Sequence, residues 1–129
     1  MYLNGRRALV GDYFRASYTN TVNVLESLGF TVDVCETMYQ VEEKILNGEK
    51  YDIIFTNNIY QVGGYGYQLL AKLRSIKGFN TPVVIHTISD NVDNIFIKQG
   101  FDGYLKKYIT QEKTLELLTS LLPIKKDED

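Results

Sequence analysis

The sequence predicts an α/β domain built on a doubly wound, five-stranded parallel sheet, (βα)5, with helices on both faces. Short apolar segments rich in β-branched and aromatic residues alternate with longer segments of helical spacing. Two of the short segments, Asp52 to Asn57 and Pro82 to Thr87, are nearly continuously apolar, as strands covered on both faces are. The chain has 129 residues, 44% hydrophobic and 23% charged, which suits one domain with one packed interior.

The expected strands are Arg7 to Gly11, Phe30 to Glu36, Asp52 to Asn57, Pro82 to Thr87 and Phe101 to Leu105. The first helix, Arg15 to Leu28, spaces Tyr18, Val22, Leu25 and Leu28 along one face and stops at Gly29, a residue suited to a left-handed cap. The second starts at Thr37, where a Thr side chain and Gln40 three residues on can cap each other's backbone, and ends near Gly48 with Met38, Val41 and Ile45 as its stripe. The third, Gly66 to Lys77, carries Leu69, Leu70, Leu73 and Ile76. A shorter, polar fourth covers Asn91 to Gln99, and the fifth runs from a Thr110 cap through Leu115, Leu118 and Leu122 to Pro123. The folded domain is expected over residues 1–123, with 124–129 as a charged, solvated tail.

Fourteen Lys and Arg against sixteen Asp and Glu give a net charge of -2, which disfavours nucleic acid as a partner. The single cysteine, Cys35, excludes an internal disulfide and reads as a buried, inert thiol in a reducing compartment. No apolar run approaches the roughly 20 residues needed to cross a bilayer, and Met1 to Arg7 lacks the apolar stretch of a signal peptide. A cytoplasmic location without membrane contact is expected.

In open sheets of this kind, ligands bind at the carboxyl ends of the strands. Those ends carry Asp12 and Tyr13, Asn57 and Asn58, Thr87 and Ile88, and Lys106 and Lys107. His86 lies inside the fourth strand and reads as a satisfied core histidine, with no Cys, His or carboxylate spaced to complete a zinc site. Gly63 to Gly66 lacks the glycine spacing and the Lys-Ser or Lys-Thr of a P-loop and reads as a flexible turn.

At these strand ends the sequence resembles the receiver domains of two-component response regulators (CheY-like), from Arg7 to Leu122. Ala8 to Tyr13 resembles the family's first strand, which ends in two adjacent acids. Asp52 to Asn57 resembles the third, which ends in the phosphorylated aspartate. Thr81 to Thr87 resembles the fourth with its terminal hydroxyl, and Gly100 to Lys107 resembles the fifth with its switch aromatic, Tyr104, and its Lys, Lys107. The resemblance implies a flavodoxin-like (βα)5 fold and a role in signal transduction.

The departures shape the functional expectation. Asn57 falls at the phosphoacceptor position, and a carboxamide cannot form an acyl phosphate. Tyr13 replaces the second acid, which leaves Asp12 alone in the acidic pocket, so Mg²⁺ binding there is expected to be weak at most and no cofactor is expected. Asp12 reads as a loop or capping carboxylate or as a salt-bridge partner of Lys107. Thr87 reads as a partner of local backbone, and Tyr104 as a packed ring whose hydroxyl reaches solvent, against retained switching roles. Tyr108 replaces the Pro that usually follows the Lys, so a trans Lys107–Tyr108 bond is expected. The loop from Asn58 to Tyr65 is about one residue longer than usual, with Gly63 and Gly64 free to take positive φ.

Tyr13, Tyr60 and Tyr108 are expected on loops around the former phosphorylation pocket, each covering its own loop, or together closing the pocket or offering a docking patch. By resemblance, the surface of the fourth helix, fifth strand and fifth helix, including Ile95, Phe96, Tyr104 and Lys106, is the expected partner or dimer face. The leading reading is therefore a non-enzymatic pseudo-receiver that binds a protein: a kinase, a regulator or a second copy of itself. The alternatives are a module whose altered pocket takes a small molecule or ion, and a flavodoxin-like electron carrier. The last is disfavoured because the first loop, Gly11 to Thr21, lacks a tight hydroxyl-rich phosphate turn directly after the strand.

Overall fold

The computed structural model describes residues 2–123; the expected charged tail at 124–129 lies outside them. Five strands form one parallel sheet in the order β2-β1-β3-β4-β5. They are β1 (Arg7–Gly11), β2 (Thr31–Cys35), β3 (Ile53–Thr56), β4 (Val83–Thr87) and β5 (Gly103–Lys106). The helices are α1 (Arg15–Ser27), α2 (Met38–Leu46), α3 (Gly66–Arg74), α4 (Ile95–Lys98) and α5 (Gln111–Leu121). The order reverses at β1, so β1, β3 and β4 stand centrally and their carboxyl ends share one edge.

Alternate residues of the central strands feed two separate interiors, as the two-residue period of a strand requires. Leu9, Ile54 and Ile85 pack with Val41, Leu69 and Leu73 of α2 and α3 on one face. Val10, Phe55 and Val84 pack with Leu25 of α1 and Leu118 of α5 on the other. The capping exchange at α2 is present: Gln40 N–H donates to Thr37 Oγ1 at 3.1 Å and Thr37 N–H to Gln40 Oε1 at 3.2 Å.

Helix α1 turns differently from the expected stripe. Ser17, Thr21 and Leu25 are buried, while Tyr18 and Val22 lie at the flank. Burial of the two hydroxyls is possible because each has a buried polar partner, Asp12 and His86. The fourth helix is also shorter than expected. A 3-10 turn at Val92–Asn94 contains two left-handed residues, Asp93 and Asn94, at φ 53° and 57°, and only Ile95–Lys98 is α-helical. Asn91 Oδ1 accepts from the Phe96 N–H at 3.0 Å and ties that turn to the helix.

Two residues expected on the partner surface lie in the interior instead. Phe96 is 3% exposed, stacked on Tyr104 with centroids 5.3 Å apart and edge-on to Phe101; as a short helix's largest apolar side chain, it fills the gap above β5. Tyr60 is 4% exposed. The longer loop after β3 closes on itself, with Tyr60 N–H donating to Gly64 O at 2.9 Å and a bridge between Ile59 and Tyr65. That closure turns the Tyr60 ring inward, where its hydroxyl sits 2.7 Å from Thr56 Oγ1. Gly11 makes room for it, since a Cβ there would collide with the Tyr60 hydroxyl. Gly63 and Gly64 take the expected positive φ, at 108° and 124°.

Candidate functional site

The carboxyl ends of β1, β3, β4 and β5 surround a polar floor. Asp12, directly after β1, is fully buried. Its Oδ1 accepts from the Phe14 N–H at 3.1 Å, and its Oδ2 accepts from the Ser17 hydroxyl at 2.5 Å. Lys107, directly after β5, donates from Nζ to Asp12 Oδ2 at 3.0 Å and to Asn57 Oδ1 at 2.9 Å. The ammonium is held there by an ion pair whose side chains are 6% and 0% exposed. Burial pulls the Lys107 pKa below its ordinary value, and the Asp12 carboxylate partly opposes that pull. Asn57 closes the third side, its Nδ2 donating to Ile59 O at 2.7 Å.

Both structural readings of Asp12 hold together: it caps the loop that enters α1 and it pairs with Lys107. Thr87 Oγ1 accepts from the Ser89 N–H at 3.1 Å, the local backbone role expected of it. Tyr104 is half-buried on Phe96, and its hydroxyl donates to Ser89 O at 2.9 Å. Thr87 and Tyr104 thus grip the same residue of the β4–α4 loop. The Lys107–Tyr108 peptide is cis, a correction to the expected trans bond.

Behind the floor, His86 is fully buried, with Nδ1 3.1 Å from Thr21 Oγ1. Its Nε2 has no hydrogen-bond partner among the described residues, so this core histidine is only half satisfied. Burial, reinforced by Lys107, lowers its pKa from 6.5 to about 4 and keeps the ring neutral at pH 7. Cys35 is buried, and desolvation pushes its thiol up to about 11, as an inert core thiol requires.

Above the floor opens a cavity of about 380 Å³. Asn57, Thr87 and Lys107 line its base, while Tyr13, Phe14, Ile59, Ile88 and Tyr108 form its walls. These wall residues are exposed, Ile88 at 75% and Tyr108 at 54%. Tyr13 and Tyr108 therefore stand where the sequence placed them, at the rim. Ile88, named among the strand ends, stands in the wall as well, whereas Phe14, Ile59 and the Asp12 partner Ser17 were not anticipated. Each directly follows or shortly follows a strand-end residue that was, and that adjacency is the signal that could have found them.

The donor set does not suit a divalent cation. Mg²⁺ takes six oxygen ligands, several of them waters, and is anchored by one or two carboxylates with free oxygens. Asp12 supplies the one carboxylate, both its oxygens are engaged, and an ammonium is bonded to it. Among the described residues no group of three or more His, Cys, Asp or Glu side chains is placed to hold a metal. No described helix is long and apolar enough to cross a membrane.

No protein-family model matches the chain, and no curated protein matches it. Solved structures do. A two-component response regulator from Clostridium difficile is 25% identical, with a TM-score of 0.78 over 91% of this chain and 95% of the other. A putative response regulator from Chloroflexus aurantiacus aligns at TM-score 0.83 and 16% identity, over 94% of this chain and 100% of its own. The receiver domain of a sensor histidine kinase from Pseudomonas aeruginosa, with a magnesium ion coordinated in its active-site cleft, aligns at TM-score 0.79 and 19% identity over 91% and 97%. The five parallel strands, their order and these neighbours together give the chain the fold of CheY-like response-regulator receiver domains.

Proposed function

We propose that the chain is an atypical response-regulator receiver, a pseudo-receiver over residues 1–123 that signals by protein–protein contact without aspartate phosphorylation. One observation carries this reading: Lys107 Nζ is bonded at once to Asp12 and to Asn57. Asn57 stands where the receivers it resembles carry the phosphoacceptor, and its amide has no charged oxygen to attack phosphorus. Lys107 neutralises the one acid left, Tyr13 occupies the place of the other, and no Mg²⁺ ligand set remains. Thr87 and Tyr104 are engaged with Ser89 without any phosphoryl group to recruit them, which supports one fixed state of the β4–α4 loop.

The face proposed for a partner runs over α4, β5 and α5. Ile95 and Tyr108 are exposed there, Lys106 pairs with Asp90 at 2.6 Å, and a groove of about 500 Å³ lies among Tyr104, Tyr108 and Lys113. Phe96 supports this face from beneath. The partner is a kinase, a regulator or a second copy of the chain, met in the cytoplasm. The role is non-enzymatic.

Incubation with acetyl phosphate or beryllofluoride plus Mg²⁺, read by intact mass and amide spectra, tests the reading. The expected result is no adduct and no shift. An Asn57→Asp, Tyr13→Asp double variant, which restores the carboxylates, is expected to gain a Mg²⁺-dependent adduct. A phosphoryl adduct on the unaltered protein would overturn the proposal.

A further inference from the structure

The cavity above Lys107 has a donor-rich base and apolar walls, and it shares only Lys107 and Tyr108 with the groove on the face proposed for a partner. Lys107 has three ammonium protons; two point at Asp12 and Asn57. The third has no acceptor among the described residues. The Thr87 oxygen accepts from Ser89, which leaves its own hydroxyl proton unassigned, and Asn57 Nδ2 spends one of its two protons on Ile59 O. All three residues line the cavity, and Asp12 does not. A ligand entering from solvent therefore meets donors at the base, with the carboxylate hidden behind the ammonium. The base calls for an acceptor and presents no carboxylate to a cation.

The walls set the rest of the ligand. Tyr13, Phe14 and Tyr108 present ring surface, and Ile59 and Ile88 present aliphatic surface, all at the cavity mouth. A volume of about 380 Å³ falls at the low end of the range for small-molecule sites, which combine apolar walls with a few convergent polar groups. We infer that this cavity is a metal-independent site for a small monocarboxylate with an aromatic or branched apolar body. The carboxylate takes the third Lys107 proton, the Thr87 hydroxyl and the spare Asn57 amide proton; the body lies between Tyr13, Tyr108 and Ile88. Binding there bridges the β1, β4 and β5 loops and so bears on the Ser89 segment that Thr87 and Tyr104 grip. The inference rests on the preceding reading of the site as closed to phosphotransfer.

The probe is phenylacetate, titrated into isotope-labelled protein with and without Mg²⁺, beside acetate as a head without a body and phenylacetamide as the same body with a neutral head. Saturable amide shifts at Asn58, Thr87, Ile88 and Tyr108 are expected with phenylacetate, independent of Mg²⁺. Both controls are expected to bind about tenfold more weakly, the neutral head because a charge-assisted hydrogen bond is lost. Thr87→Val is expected to weaken phenylacetate about fivefold. Ile88→Asp, a change at an exposed wall position that leaves the core intact, is expected to abolish it by like-charge repulsion. Absence of saturable shifts, equal binding of phenylacetamide, dependence on Mg²⁺, or shifts centred elsewhere would each overturn the assignment. The two readings fail separately: an acyl-phosphate adduct in the mass assay sinks the pseudo-receiver, whereas a phosphate-inert protein that ignores phenylacetate sinks only the ligand site.

Discussion

Substituting Lys107 by Met removes the cation from a fully buried carboxylate while keeping the length of the side chain. Breaking a buried ion pair from one side costs about 3 to 5 kcal/mol, because the remaining charge is left without compensation. Asp12 would keep the Ser17 hydroxyl and the Phe14 N–H, which places this case at the lower end, about 3 kcal/mol. With a urea slope near 1.5 kcal/mol/M, the unfolding midpoint should drop by about 2 M. Asp12→Asn in the same chain removes the orphaned charge and keeps an oxygen for Ser17, so the double variant should return to within about 1 kcal/mol of the parent. Equilibrium urea unfolding at pH 7 of the parent, both single variants and the double variant measures the coupling directly. A Lys107→Met variant within about 0.5 kcal/mol of the parent, below the scatter of additivity, would refute the account of the ion pair as the polar keystone of the floor.

Three further outcomes follow from the structure. His86 has a folded pKa of about 4 against an ordinary 6.5, so the unfolded chain binds the extra proton first and stability falls as pH drops from about 6.5 to about 4. The gap corresponds to about 3 kcal/mol, and the pH–stability curve of His86→Gln, subtracted from that of the parent, should show a loss of this order and sign in that window. Gly11→Ala should cost about 1 to 3 kcal/mol by driving a methyl into the Tyr60 hydroxyl, and Tyr60→Phe in the same chain should recover part of the loss in thermal unfolding, the rest being held by Val41 Cγ2 at 3.0 Å. Phe96→Ala should cost about 3 kcal/mol or more and Ile95→Ala less than about 1 kcal/mol, since the first is buried and the second 41% exposed; similar losses would contradict the packing described for α4.

The sheet was legible because its signal is redundant: five short apolar segments with intervening helical periods leave few ways to pair. The cap at Thr37 and the glycines at 63 and 64 were legible for a local reason, since two or three adjacent residues determine them. Burial at Tyr60 was not, because it depends on Gly11, almost fifty positions earlier, leaving room for a hydroxyl. The turn of α1 was hidden in the same way. Hydrophobic spacing favoured Tyr18 and Val22, whereas Asp12 and His86 drew Ser17 and Thr21 inward, and polar pairing across the fold leaves no periodic mark. At the site, the strand-end residues could be named from the sequence, but the contest for Lys107 between Asp12 and Asn57 is a matter of distances.

Ser17 and Thr21 lie one helical turn apart, and each is tied to a different strand, one to the residue after β1 and the other to β4. Apolar contacts alone let a helix roll or creep along a sheet at small cost, but two directional tethers spaced by a turn define both its azimuth and its axial position. α1 therefore behaves as a bolted wall of the cavity. Any breathing that admits a guest falls to the loops at the mouth, those of Tyr13, Ile59, Ile88 and Tyr108.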